Sequence, residues 1–384
     1  MSNSYFLEQK NKSEVFFLLF SLSQTFLSEH LQIVAKAIAT RTTIPGLDGI
    51  LFECDGDNLI LTATNMELGI QTRFPAVHKE KGKVVLPGKI VEIVRRLPAE
   101  SVQIKVNTDN YLTEIKSGQA EFQLYGQNAA DYPVFPADQP GQTRCVFKIK
   151  TADLRRLLRQ TLFAVSHDEG KPAFIGVLFS LTDGVLTLSS SDTFRLATTS
   201  CSVTDASANA TFLVPAKNLQ EVLRIFTDES STIEAVLKQN QLFLTSGSTC
   251  LSSRLLEENF PNVQRVIPQN IIGKASIKTT NLIQAIERAT LLAEGSNHVI
   301  RFSIGDDTMV IRASSKYGKI QEQLPVSLTG EGVEIAFNAR FVLEVLKIIE
   351  SEEFVLEITG PNKPCIVKDP LSPNYLYLVL PIKI

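Results

Sequence analysis

Along the chain, apolar residues recur at helical spacing in six places, with alternating apolar and polar stretches between them. Leu31, Val34, Ala35 and Ile38 stand at i, i+3, i+4 and i+7, which puts them on one helical face. Leu154, Leu157 and Leu158 repeat that face, as do Leu282, Ala285, Ile286 and Ala289. After each comes a stretch with strand character, residues 49–65, 176–192 and 300–315, broken by Asp-Gly or Gly-Asp between apolar runs. Such a break between alternating residues predicts a hairpin. A second amphipathic helix is predicted after each hairpin, over residues 86–97, 214–226 and 337–349, with Ile90, Leu219 and Val342 leading the apolar faces. Pro87 and Pro215 suit a first helical turn, where no backbone donor is missed.

The order helix, hairpin, helix and further strands thus recurs three times at a spacing of roughly 125 residues. The first two copies end in matching turns, Asp131-Tyr132-Pro133 and Asn259-Phe260-Pro261, and the third ends near the last residue. The expected organisation is α+β, with two helices packed on antiparallel sheet in each of three repeated domains, 19–140, 141–271 and 272–384, after an N-terminal extension over 1–18. The first strand is expected to begin near Leu19.

Composition narrows the class. Hydrophobic residues make up 44% and charged residues 21%, the balance of a globular chain. The apolar run Val15–Phe20 is too short to span a membrane and lacks a small-x-small cleavage site. Cys54, Cys145, Cys201, Cys250 and Cys365 are widely spaced and odd in number, as expected of reduced thiols in a cytoplasmic protein. The histidines His30, His78, His167 and His298 are isolated, and no metal spacing or nucleophile motif appears, so neither a catalytic set nor a cofactor is expected. Residues 86–90 lack the first glycine and the hydroxyl residue of a phosphate-binding loop. Ser189, Ser190 and Ser191 read as a strand end, with Asp192 capping a turn.

Net charge is −3, which argues against a surface that coats nucleic acid everywhere. The six predicted helices, however, carry twelve cations (Lys36, Lys89, Arg95, Arg96, Arg155, Arg156, Arg159, Lys217, Arg224, Arg288, Arg340 and Lys347) against six anions (Glu29, Glu92, Asp153, Glu221, Glu287 and Glu344). If the repeats present their helices on one wall, that wall is a cationic track for phosphates with little sequence preference. A repeat-built binding scaffold without DNA would also give the triplication, but it would not call for this bias.

The segment Thr40-Arg41-Thr42-Thr43-Ile44-Pro45, the stretches 163–179, 189–197 and 258–268, and the terminal run 377–384 together resemble bacterial sliding clamps, the DNA polymerase III beta subunit family, in the same order and over nearly the whole chain from about residue 19. The resemblance implies a non-catalytic subunit that dimerises head to tail into a ring around double-stranded DNA. It implies partners that dock by short peptides, namely the polymerase III catalytic subunit, the clamp loader and other clamp-binding proteins, and no membrane.

By the same resemblance Arg41 lies near DNA, and Lys171 belongs to a rim loop beginning at His167. With the helical cations, the expected DNA contacts are Arg41, Lys89, Arg95, Arg96, Arg155, Arg156, Arg159, Lys171, Lys217, Arg224 and Arg340. The resemblance puts the peptide groove around Phe174, Ser191, Thr193, Phe194, Arg195, Leu196, Pro261, Arg265, Val266, Leu378, Leu380, Pro381 and Ile382. It puts Phe122 and Leu124 at one face of the dimer interface, and Leu291 and Leu292 at the other. Many relatives carry histidine where this chain has Phe194, which makes the expected groove more apolar.

Overall fold

A computed structural model describes residues 16–76, 81–107, 109–138, 142–293 and 298–383. Most of the expected N-terminal extension, the boundary at 140/141, His78 and Ile384 lie outside the described residues. The first repeat runs β1 (Phe16–Ser23), α1 (Gln24–Val34), β2 (Gly49–Asp55), β3 (Asn58–Thr64), β4 (Leu68–Pro75), β5 (Gly82–Pro87), α2 (Lys89–Arg96), β6 (Ser101–Asn107), β7 (Leu112–Ser117) and β8 (Ala120–Tyr125). The second runs β9 (Thr143–Lys150), α3 (Thr151–Thr161), β10 (Gly176–Thr182), β11 (Val185–Ser191), β12 (Arg195–Ser202), β13 (Ala210–Pro215), α4 (Ala216–Ile225), β14 (Thr232–Lys238), β15 (Gln241–Ser246) and β16 (Thr249–Arg254). The third runs β17 (Gly273–Lys278), α5 (Thr279–Thr290), β18 (Val299–Ile304), β19 (Thr308–Ser315), β20 (Gly318–Gly330), β21 (Val333–Asn338), α6 (Ala339–Leu346), β22 (Glu353–Ile358), β23 (Cys365–Asp369) and β24 (Ser372–Val379).

Each repeat is therefore strand, helix, four strands, helix, three strands, and it opens on a strand where periodicity alone suggested a helix. The first strand starts at Phe16, three residues before the expected Leu19. α1 stops at Val34, and a 3-10 turn over Ala35–Ala37 carries Lys36, so Ile38 leaves the helix. One tie recurs at the start of all three leading helices. The N–H of Gln24, Thr151 and Thr279 donates to a carbonyl in the loop after the second helix, at Glu100 (2.8 Å), Ser231 (3.0 Å) and Glu352 (2.9 Å). Each tie satisfies a donor that the first helical turn would leave without an intrahelical partner.

The chain forms two compact units, one of residues 1–141 with 243–253, the other of 142–242 with 254–384. In the first unit, β1-β6-β7-β8 form one sheet, and β5-β2-β3-β4 form another that β16 extends by pairing with β4. α1 buries Leu27, Leu31 and Val34, and α2 buries Ile90 and Val94; each such side chain contributes about 1.5–3 kcal/mol. Gly49 pairs with Pro87 at the β2/β5 edge, where a Cβ would lie 2.6 Å from the Leu86 carbonyl oxygen. Gly176 holds the matching position opposite Pro215, 2.8 Å from the Val214 oxygen by the same measure.

In the second unit β9 pairs with β14, and twelve strands run β13-β10-β11-β12-β24-β23-β22-β17-β20-β19-β18-β21. The joint β12/β24 repeats between the second and third repeats what β4/β16 does between the first and second. Leu282, Ala285, Ile286 and Ala289 of α5 and Val345 and Leu346 of α6 pack against Ile300, Phe302, Ile311 and Ile335, the inward face of β18, β19 and β21. All five cysteines are free, and burial pushes the Cys54 and Cys365 thiols up to about 12. Among the described residues no helix is long and apolar enough to cross a membrane.

Candidate functional site

The turn between β11 and β12 is built by short polar side chains. Asp192 Oδ1 accepts the N–H groups of Phe194 (2.9 Å) and Arg195 (3.1 Å), while Ser191 Oγ accepts the N–H of Thr193 (3.1 Å) and donates to the Arg195 carbonyl (2.6 Å). This network holds Thr193 at φ 81°, a left-handed conformation that a β-branched residue rarely adopts. The expectation that Asp192 caps a turn agrees with this geometry. The turn pushes Phe194 outward, where it is 55% exposed and stacks on Phe341 at 6.4 Å.

Arg195, directly after it, points inward and is 3% exposed. Its guanidinium donates to Asp192 (2.9 Å), to the Phe163 carbonyl (2.7 Å) and to Glu344, and lies over the Phe341 ring at 4.4 Å. Burial opposes the Arg195 charge, but Tyr377, Glu344 and Asp192 outweigh it and raise its affinity for the proton. Burial likewise opposes ionisation of Glu344, and hydrogen bonds from Arg340 and Arg195 reverse that and hold its carboxyl below the usual range.

β12 and β24 pair through Leu196 and Leu378, and the Leu380 N–H donates to the Phe194 carbonyl at 2.9 Å. Above that floor the chain forms an apolar groove of about 240 Å³. Ten of the thirteen expected residues line it: Phe174, Ser191, Thr193, Phe194, Arg195, Leu196, Pro261, Val266, Leu378 and Leu380. Arg265 does not; it is exposed on the 3-10 turn Val263–Arg265. Pro381 and Ile382 do not either, because the Ile382 N–H donates to Ala336 of β21 and the tail leaves the groove wall after Leu380.

The residues that sequence reasoning missed are Phe260, Asn262, Val263 and Pro364. Phe260 meets Phe174 at 5.7 Å, and Asn262 caps the turn by accepting the Gln264 N–H. The aromatic residue before Pro261 was the available signal. Pro364 had none, since only the fold brings the β22/β23 loop there.

With observed helix boundaries the charge picture changes. The helices hold ten cations and six anions, since Lys36 and Lys347 fall beyond helix ends, and the net charge is +4. The excess is confined to α2, α3 and α4; α5 and α6 are neutral and α1 is −1. Arg155 does not present a free cation, since it donates to the Leu223 (2.5 Å) and Phe226 (2.9 Å) carbonyls at the end of α4 and to Glu229 (3.2 Å). Lys171 sits on the groove instead, donating to Thr193 Oγ1 (3.2 Å) with its ammonium 5.5 Å from the Phe194 ring centre.

Besides Arg155, five expected contacts are ion-paired: Lys89 with Glu92 (2.8 Å), Arg156 with Asp153 (3.2 Å), Arg159 with Glu229 (3.7 Å), Arg224 with Glu221 (2.5 Å) and Arg340 with Glu344 (2.7 Å). Lys217 stands near the start of α4. Arg41, Arg95 and Arg96 are exposed, and among the described residues no carboxylate lies within 4 Å of them.

Comparison with known proteins gives a consistent result. Models of the N-terminal, central and C-terminal domains of the DNA polymerase III beta subunit match residues 18–136, 148–262 and 264–383. The beta sliding clamp of Staphylococcus aureus strain Mu50 is 32% identical over 376 residues, covering 95% of this chain and 99% of that one. This chain belongs to the DNA polymerase III beta subunit family. Among solved structures, the DNA polymerase sliding clamp of Bacillus subtilis is 30% identical with TM-score 0.91, covering 96% of this chain and 100% of that one. A sliding clamp from Pseudomonas aeruginosa bound to griselimycin is 26% identical with TM-score 0.91 at the same coverage.

Among the described residues of this beta-subunit chain several strand edges stay open, β8 and part of β20 among them. β8 pairs only with β7, and the first part of β20, Gly318–Pro325, pairs only with β19. Phe122 on β8 is 41% exposed and Leu291 after α5 is 82% exposed, with Leu124 and Leu292 partly exposed beside them. None of the four is core.

Proposed function

We propose that this chain is the processivity factor of a bacterial replicase. It is a non-catalytic accessory subunit of the DNA polymerase III holoenzyme. Two copies close a ring around duplex DNA, slide on it without sequence preference, and tether the polymerase catalytic subunit, the clamp loader and other proteins that carry clamp-binding peptides. It works in the cytoplasm. Membership of the family along the whole chain carries this reading.

Ring closure has independent support in strand order. β4 and β12, equivalent strands of the first two repeats, each join the last strand of the following repeat, β16 and β24. The equivalent strand of the third repeat is β20, and the last strand left over is β8. A second copy supplies the missing joint in both directions, as a head-to-tail contact that closes requires. Phe122, Leu124, Leu291 and Leu292 flank that joint in this reading, and the domains divide near residues 140 and 271.

Arg41, Arg95 and Arg96 are the cations proposed to lead the contact with DNA, with further parts for Lys217 and for Lys89, Arg156, Arg159, Arg224 and Arg340, the last five already ion-paired. The groove at Phe174, Phe194, Leu196 and Leu380 is proposed to receive the apolar anchors of partner peptides. Sedimentation should give twice the chain mass. Loader-assisted retention on nicked circular DNA should vanish when the circle is cut; a monomer, or retention indifferent to linearisation, would overturn the reading.

A further inference from the structure

On the face of β18, β19 and β20 turned away from the helices lies an open depression of about 890 Å³ that includes Arg301, Arg312, Lys319, Ile382 and Lys383. Arg301 and Arg312 are direct cross-strand partners. Like charges in that register are only some 5 Å apart at Cβ and destabilise the pair. Arg312 is oriented by neutral groups, donating to Gln321 (2.9 Å) and Ser303 (2.7 Å).

Elsewhere in this repeat Lys274, Lys278, Arg288, Arg340 and Lys368 each have a carboxylate within 4 Å. Among the described residues, none of the four cations around the depression has one, and no carboxylate lines it. A cluster of like charge kept in cross-strand register without counter-charge fits an anionic partner that arrives from outside.

The chain itself connects this depression to the groove. Leu380 lines the groove and Ile382 lines the depression, two residues or about 7 Å of extended chain apart. We infer that the depression takes the acidic flank of the same peptide whose apolar anchors fill the groove, so that partners with aspartate and glutamate beside their anchors are preferred. The inference rests on the groove reading. A peptide is favoured over nucleic acid because the site continues the groove and lies on the sheet face opposite α5 and α6, not on the helical cations proposed to face DNA.

Fluorescence anisotropy on the full-length protein tests it with a labelled apolar core peptide and the same core bearing Glu-Glu-Asp at either end. Two exposed ion pairs should tighten one extended peptide about fivefold at low salt, and the gain should disappear at 0.5 M salt, where screening is short-ranged. Arg301→Gln with Lys383→Gln should bind the core peptide like the parent, which also reports a folded groove, and should lose the gain. An extended peptide that binds no tighter, or a gain that survives in the variant, overturns the inference alone. A core peptide that fails to bind the parent overturns the groove reading and this inference with it. If the variant loses affinity for short duplex DNA while keeping the peptide gain, the cations serve nucleic acid and the inference is wrong.

Discussion

Replacing Arg195 with leucine tests whether the buried guanidinium is what holds the groove turn against the third repeat. The substitution leaves Asp192 with its two backbone donors and Glu344 with Arg340 at 2.7 Å, so neither carboxylate is stranded. The Phe163 carbonyl loses its charged donor, which by itself costs about 1–3 kcal/mol. Orphaning a fully buried charge would cost about 3–5 kcal/mol, so the net expected here is about 2–4 kcal/mol. For a unit of this size that is a drop of roughly 5–12 °C in Tm, read by calorimetry in the transition that contains residues 254–384.

Acid dependence supplies a second readout. A carboxyl held below its ordinary range adds stability above the unfolded pKa of about 4.3 and loses it as pH falls through the folded value. Without Arg195, Glu344 keeps one donor fewer, its folded pKa rises, and the gap between parent and variant should narrow as pH falls from about 5 through the parent's folded value. Glu344→Gln combined with Arg195→Leu should cost less than the two single losses added together. A Tm drop under 2 °C, or a gap that does not change with pH, would refute the argument.

Phe194→Ala removes the exposed ring from the groove rim and should weaken an apolar partner peptide about tenfold in anisotropy, as for loss of one aromatic anchor, with ring mass unchanged. Leu291→Ala with Leu292→Ala should give folded monomers in sedimentation; an intact dimer would remove both from the interface. Arg95→Glu with Arg96→Glu should weaken binding to short duplex and flatten its dependence on salt, whereas Arg155→Glu should lower Tm first, because Arg155 holds helix-end carbonyls. Gly49→Ala should destabilise the first unit by several kcal/mol, since its Cβ would meet the Leu86 oxygen at 2.6 Å, within about the range of a severe overpacking change; a neutral Tm would mean that the β2/β5 edge yields.

Sequence pattern recovered what local spacing encodes. The apolar faces of α1 to α6, the hairpins and the triplication follow from i, i+3, i+4 and alternating positions, and most of the groove follows from segments that also carry the family resemblance. Side-chain direction was not legible. Arg155 and Arg159 are one helical turn apart and look alike in sequence, yet one donates to helix-end carbonyls and the other stays largely exposed. Contacts set by distant pairing were equally hidden: Pro364 reaches the groove through β23, and Ile382 leaves it because Ala336 offers a carbonyl. Charge counted over predicted helices overstated the bias because it could not see where each helix stops.

In the proposed ring the joint between β8 and β20 is a seam that differs from the others. Where β4 meets β16 and β12 meets β24, the same covalent chain runs on either side, so a broken joint has a tethered partner and re-forms at high local concentration. Between two copies no tether exists, and a parted seam re-forms only at the rate set by the free subunit or by whatever holds the gap. Mechanical work applied anywhere on the ring will therefore be released at that seam, which makes it the natural gate for threading DNA, and also the surface that dilution exposes first.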